Sequence, residues 1–505
     1  MTRYIFRRLA ISFGVLLVGS FLMYVLTINS GDPLEDLRES TANNRDQLMQ
    51  ARTRTMGLDL PWYQRYFTWL RGAAGCFYGQ CDLGTDRDGT DVLALLGQAA
   101  GATLRLVTIA TFAAIVIGIF IGILTAIRQY SGFDYAVTFL SFLFFSLPVF
   151  WAAVLLKEYG AIRYNDWIAD PHITVTVAVV IGLVLGFVLQ GVLGGNVKRR
   201  LLTGGITAVF VVSALLYFTY VGWWRSPALG PVIVIIVALA FAVGLTAIFA
   251  GIGNKRVLYS TLTTVGVGSV VYFVIQGFFE NPNWLAMLGL LLSAVVVGLV
   301  SGYFWGGYSR GQAMALSAIT AVFTAGLTFV DRLVYAWAGF LEIKPRPIST
   351  IGASTPNFGG DFWETTLDWG SQLLLPSILL TLISIATYSR YTRSSMLETL
   401  NQDYVRTARS KGLSERTVIT KHAFRNAMIP ITTIVALDFA ALISGAVITE
   451  NVFGWKGMGA MFKSGLDHVD PNPVMAFFLV TGTAAVIMNL IADLVYASLD
   501  PRIRR

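Results

Sequence analysis

Residues Asp403–Pro430 read DYVRTARSKGLSERTVITKHAFRNAMIP, a polar and basic stretch in a chain that is otherwise mostly apolar. Between Arg390 and Arg425 eight Lys or Arg stand against three acids, Glu398, Asp403 and Glu415, a local net of +5. A short basic loop between two spanning helices faces the cytoplasm. The stretch reads as two short helices. Asp403 is the expected cap of the first, where its charge suits the dipole. Arg409 and Lys411 fall in the last turn, and Gly412 stands where a helix ends on a left-handed residue. Ser414 is the expected cap of the second helix, and Pro430 marks the start of the next span. A helix lying along a membrane, stopped by Gly and followed by a bend, has a shape that docks into a partner's groove.

Composition agrees with that setting. The chain has 505 residues, 55% hydrophobic and 13% charged, and its mean hydropathy is +0.65. This is the composition of a polytopic membrane protein, and apolar runs of this length are expected to be helical, an all-α fold. The net charge of +8 sits in short loops between apolar runs, so it signals orientation rather than nucleic-acid binding. The two Cys and the three His (His172, His422, His468) have no metal-ligand spacing, so no metal is expected. No GxxxxGK[ST] string is present, so ATP is not bound here through a P-loop. The N-terminal MTRYIFRRLA precedes an apolar run to Ile28 without a small-residue cleavage site, which reads as an uncleaved span.

The string RTARSKG followed by HAFRNAMIP resembles the cytoplasmic loop of the membrane subunits of binding-protein-dependent ABC importers, most closely the dipeptide and oligopeptide branch. In that family the loop (here 397–429) carries a coupling helix that sits in a cleft of the ATPase subunit. The resemblance assigns that role to Tyr404, Arg406, Thr407, Ala408, Lys411, Gly412 and Leu413. Arg406-Thr407-Ala408 replace the general Glu-Ala-Ala, and Pro430 lies later than the general spacing; the peptide branch shares both departures.

Further motifs extend the resemblance to 1–160 and 366–505. The first span is about Leu9 to Ile28. In the extracytoplasmic stretch 29–98, Trp62, Tyr63, Tyr66, Phe67, Trp69 and Leu70 recur at near-helical spacing, and CDLG at Cys81–Gly84 resembles the family's Gly-Asp-Leu-Gly. Interfacial anchoring is the preferred reading of those aromatics over ligand contact. Cys76 and Cys81 lie on the oxidising side, so a disulfide is expected, with two free thiols as the alternative. The second span is about Ala102 to Ile127. The third is about Tyr135 to Tyr159 and contains SLPVFW, where Pro148 is expected to kink the helix. The fourth is about Gln372 to Met396, the fifth Ile431 to Thr449, and the sixth Val474 to Leu499. GAVITENVFGWKGMG and the terminal LDPRIR resemble family strings, with Lys456 in place of the usual Pro.

Between the third and fourth spans lies an insertion, 171–340, with six apolar runs near 173–195, 202–222, 228–250, 258–279, 284–306 and 312–338. Basic junctions recur at every other turn, as the positive-inside rule requires. The expectation is therefore a type I ABC importer fold of six core helices plus six inserted ones, about twelve in all, with both termini cytoplasmic. Charges within spans, Arg105, Asp331, Arg332, Asp438 and Asp493, are functional candidates by default, against plain helix–helix hydrogen bonding. Pro148, Asp438 and Glu450 are the candidate pathway residues.

The resemblance implies a permease subunit with no catalytic residues and no cofactor of its own, ATP and Mg being held by two partner ATPase subunits. A second homologous permease, an extracytoplasmic substrate-binding protein and membrane lipid complete the expected partners, in a bacterial or archaeal cytoplasmic membrane. The alternatives are an ion-gradient-driven secondary transporter, against which the absence of matching internal repeats counts, and a receptor or scaffold using the inserted spans as a sensor.

Overall fold

The computed structural model describes residues 2–280 and 282–499. Asn281 and the LDPRIR string beyond Leu499 lie outside the described residues. Among these residues the chain is helical, with one isolated β-bridge, Thr85 to Asp91. Apolar runs in a bilayer must satisfy their own backbone groups, and the helix does so within one segment.

The helices are α1 (Thr2–Ile28), the surface helix α2 (Trp62–Gly75), α3 (Val92–Ile127), α4 (Gly132–Ser146) and α5 (Val149–Ala169). The insertion supplies α6 (Val175–Leu193), α7 (Val197–Tyr220), α8 (Gly230–Phe249), α9 (Lys255–Val274), α10 (Trp284–Gly306) and α11 (Arg310–Ile343). Then come α12 (Phe362–Leu400), α13 (Asp403–Ser410), α14 (Phe424–Gly445), α15 (Val447–Val452), α16 (Met458–Asp467) and α17 (Pro471–Leu499).

Ten stretches are long and apolar enough to cross a membrane, against twelve apolar runs in the sequence. The backbone gives two reasons. The 60-residue stretch Trp284–Ile343 folds back at the 3-10 turn Gly307–Ser309, so α10 and α11 pack antiparallel. The third run is broken, because α4 and α5 meet at 107°. Pro148 therefore does more than kink a helix: Leu147 is extended, Pro148 caps α5, and the helical path resumes to Ala169.

The core is built on α3 against α12. A methyl group at Gly122 would lie 2.5 Å from Cβ of Thr392 and 2.7 Å from the Ser389 carbonyl, so the glycine permits backbone contact. On that pair rest α4, α14 and α17, and α1 lies on α17. The surface helix α2 turns Tyr66 and Trp69 inward, Tyr66 bonding Ser20 of α1 at 2.9 Å, while Trp62, Tyr63 and Phe67 stay exposed.

The insertion forms two units. Hairpin α6–α7 leans on α4, where Gly191 abuts Phe133 and Arg128 donates to the Leu193 carbonyl at 2.8 Å. Helices α8–α11 form a four-helix bundle beside α12. Two basic junctions differ from expectation: Lys198, Arg199 and Arg200 lie in the first turn of α7, and Lys255 and Arg256 in that of α9. Asn196 and Asn254 cap those helices and offset the unfavourable dipole.

The α10–α11 hairpin yields a test. A side chain at Gly302 would meet the Met314 backbone at 2.3 Å. Gly302→Val is expected to cost about 1–3 kcal/mol by overpacking, read as a lower melting temperature of the detergent-purified protein. Gly311→Val, with open space around it, is the control expected to melt like the wild type.

Candidate functional site

The basic loop is built around α13. Its first helical residue is Asp403 and its cap position is Gln402, which makes no side-chain cap bond, so the expectation that Asp403 caps the helix is corrected. At the other end Gly412 has φ of +75°, its N–H reaches the Arg409 carbonyl at 2.9 Å, and Leu413 N–H reaches Ala408 at 3.4 Å. These two bonds close the C-terminal carbonyls as a Schellman motif. Arg409 then grips Glu415 with two bonds, at 3.1 and 2.7 Å, across the turn. That grip holds the Glu415 carboxyl below and the Arg409 guanidinium above their usual ranges.

Two faces result. Val405 and Ala408 are buried with Val418, anchoring α13 to the body of the protein. Tyr404, Arg406, Thr407, Lys411, Gly412 and Leu413 are exposed. Ala408 thus belongs to the anchoring face, not to the free one. The second expected short helix is not separate. Ser414 caps Glu415–Thr417, a π turn Val418–Ala423 follows, and α14 continues with Pro430 inside it. A proline is tolerated there because breaking the helix in an apolar setting would strand more backbone groups than the one it removes. Just past the loop, Arg416 donates through Nε to the Ile248 carbonyl at the end of α8. The insertion and the basic loop therefore share one face of the protein.

At the opposite face, α15 and the residues after it clamp the start of α3. Glu450 is fully buried and accepts from Thr103 Oγ1 at 2.6 Å, Gly459 N at 2.7 Å and Ala460 N at 3.1 Å. The last two N–H groups open α16, whose positive end favours the carboxylate. Trp455 Nε1 reaches the Ala102 carbonyl at 3.1 Å, and Met458 N reaches Thr103 Oγ1 at 2.8 Å. Beside this latch a cavity of about 360 Å³ is lined by groups of both charges, among them Asp86, Arg87, Lys456, His468 and Asp470. Asp470 is 3% exposed and accepts from Arg87 N at 2.6 Å. Burial raises its carboxyl to about 6, although the Arg87 and Asn472 amides pull it down. Cys76 and Cys81, at the end of α2, are joined by a disulfide.

The three pathway candidates do not converge. Pro148 is exposed at the α4–α5 break, Asp438 lies midway along α14, and Glu450 is in the latch. Asp438 accepts from Ser384 Oγ at 2.9 Å and Tyr388 OH at 2.6 Å, which joins α14 to α12. Asp331 accepts from Gly230 N at 2.9 Å and Tyr272 OH at 2.8 Å, entirely within the insertion. Asp493 pairs with Arg8. Arg105 is exposed on α3. Two pairs were not anticipated: Arg393 bidentate on Asp134 at 2.8 Å, and Lys344 on Asp368 at 2.7 Å. The second pins the return segment 344–361 to α12, with Thr355 also bonded to Asp368. Both acids lie near helix starts and both bases lie far away in sequence, so only the fold relates them.

The family described as "Binding-protein-dependent transport system inner membrane component" matches residues 118–505. The oligopeptide transport system permease protein OppB of Mycobacterium tuberculosis is 35% identical over 229 residues, 43% of this chain and 69% of that protein. A putative peptide permease protein of Brucella suis is 36% identical over 226 residues, 44% of this chain and 69% of its own length. The dipeptide transport system permease protein DppB of Escherichia coli K12 is 43% identical over 138 residues, 27% of this chain and 41% of its own.

The latch makes a quantitative expectation. Glu450→Ala leaves a buried amide and a buried hydroxyl without their acceptor, at about 1–3 kcal/mol each, and frees the half-buried Ala460 amide at a smaller cost. Limited proteolysis within 453–470 is expected to accelerate, with Glu450→Gln intermediate. Cleavage at the wild-type rate in Glu450→Ala would show that the carboxylate does not hold the segment.

Proposed function

The chain belongs to the family of binding-protein-dependent transport system inner membrane components, and from that membership we propose that it is the membrane-spanning permease of an ATP-driven peptide importer. The relatives named above are oligopeptide, peptide and dipeptide permeases, which supports a peptide substrate. The observation that carries the reading is α13: a short helix anchored on one side, exposed on the other, and closed by Gly412. Such a helix transmits the closure of two ATPase subunits to α12 and α14, which it joins, and so alternates access to the path. A second, homologous permease completes that path.

In this reading the chain performs no chemistry, and ATP and Mg belong to the ATPase partners. The mixed-charge cavity beside Asp470 and Lys456 faces the binding protein, and its paired signs suit a zwitterionic peptide. The basic loop and both termini are cytoplasmic. The family membership favours this reading over ion-gradient-driven transport.

Two measurements test it. Gly412→Val forces a β-branched residue to φ of +75° and is expected to abolish most uptake while the protein still inserts. Arg406→Glu reverses an exposed charge on the free face and is expected to weaken co-purification of the ATPase. Normal uptake and assembly in both would remove the coupling role from α13. For orientation, single cysteines at Asn196, Asn254 and Gly412 are expected to resist an impermeant thiol reagent in intact cells, and one at Asn281 to react. Labelling of the Gly412 position from outside would invert the topology.

A further inference from the structure

The insertion holds a cavity of about 510 Å³ between α9, α10 and α11, within the size range of small-molecule sites. Val267, Val271, Leu288, Leu291, Val297 and Phe329 form much of its wall. Most of the few hydroxyls that line it already spend their proton within the protein. Thr264, Thr324 and Thr328 each donate to the carbonyl four residues earlier, at 2.9, 2.9 and 3.0 Å. Ser293 donates to Leu290 at 2.8 Å, and the Tyr272 hydroxyl is spent on Asp331. A space walled mostly by aliphatic side chains, with its hydroxyl protons engaged, is a poor site for water and takes an apolar guest.

Depth identifies the guest's surroundings. On α11, Arg332 lies 22 residues beyond Arg310, a rise of about 33 Å. That is about the thickness of the hydrocarbon layer. With Arg310 at one boundary, Arg332 reaches the other, and the lining residues Ala321–Phe329 fall in the half of the layer next to Arg332. The medium beside the cavity is therefore acyl chain.

A charge stands at the same end. The Arg332 guanidinium lies 5.4 Å from the ring of Phe279, itself a wall of the cavity, and 5.9 Å from that of Tyr335. Its Nε is buried without a hydrogen-bond partner. The neighbouring Asp331 is already occupied by Gly230 and Tyr272. A guanidinium at this depth has a fitting acceptor in a lipid phosphate.

We propose that this cavity is a phospholipid site: one acyl chain fills the space between α9, α10 and α11, and the phosphate is held at Arg332. The site borders the core. Trp284 lines the cavity and stacks on Trp369 of α12 at 6.1 Å, while Phe329 and Phe279 both pack on Trp363 at 5.3 and 5.5 Å. A bound chain thus fills the inner side of the aromatic seam that attaches the insertion to α12.

The test uses the intact complex in phosphatidylcholine vesicles carrying a small fraction of phosphatidylglycerol with a diazirine in its chain. After illumination, labelled peptides are mapped by mass spectrometry. Labelling is expected within 264–297 and 321–329. Ala294→Phe and Ala325→Phe each fill part of the space. Displacing about two methylenes lowers occupancy about tenfold, so each variant is expected to lose most of that label. Arg332→Gln is expected to reduce it and Arg332→Lys to restore much of it. Only variants that co-purify with their partner subunits are compared, and if one fails to assemble the other decides. Absence of label from these segments in the wild type, or unchanged label in the filled variants, would each overturn the proposal.

Discussion

Everything else in the structure depends on one close contact, α3 against α12. Gly118 and Gly122 let the backbones approach, with Tyr388, Ser389 and Thr392 filling the facing positions. Two membrane helices gain little from apolar burial against each other, since lipid is as apolar as leucine. They gain from close packing and from bonds such as Thr381 Oγ1 to the Ala110 carbonyl at 3.2 Å. The two partners are separated in sequence by the whole insertion. That long closure is tolerable because each inserted helix forms on its own within the bilayer and the loops between them are short. The contact then positions the rest: the latch at the start of α3, and the basic loop at the end of α12.

The parts legible in the sequence were those written in local patterns. Apolar runs of helical length fixed nearly every span, and the alternation of basic junctions agrees with the shared face of Arg416 and Ile248. Gly412 was readable as a left-handed stop because few other residues occupy φ of +75° at low cost. The exposed and buried sides of α13 also follow from spacing: Val405 and Ala408, three apart, fall on one face.

What was not legible involves partners far apart in the chain. Glu450 reads as a charge near the end of a span, and only the fold brings Thr103 and the amides of Gly459 and Ala460 to it. Asp438 reads the same way, yet its carboxylate is taken up by Ser384 and Tyr388 as a tie between helices. Asp134 with Arg393 and Lys344 with Asp368 have no local signature at all. The break at Pro148 exceeds a simple kink for a different reason. A proline disfavours helix in the residue before it as well as removing a bond. The depth of the resulting bend depends on what α5 packs against, here Ile348, Leu375 and Phe453.

The insertion lies beside the core, but its attachment is not confined to one edge. It meets α12 near Trp363 and Trp369 at one face of the membrane, and at the other Arg416 ties the end of α8 to the residues just past α13. A rigid element held at both ends transmits displacement rather than absorbing it, because packed helices shift between discrete arrangements instead of deforming smoothly. Movement of α13 would therefore be felt at the Ile248 turn, and through the α8–α11 bundle at the aromatic seam on α12. The α8–α11 bundle is in that sense a second connection between the two faces, parallel to α12 itself.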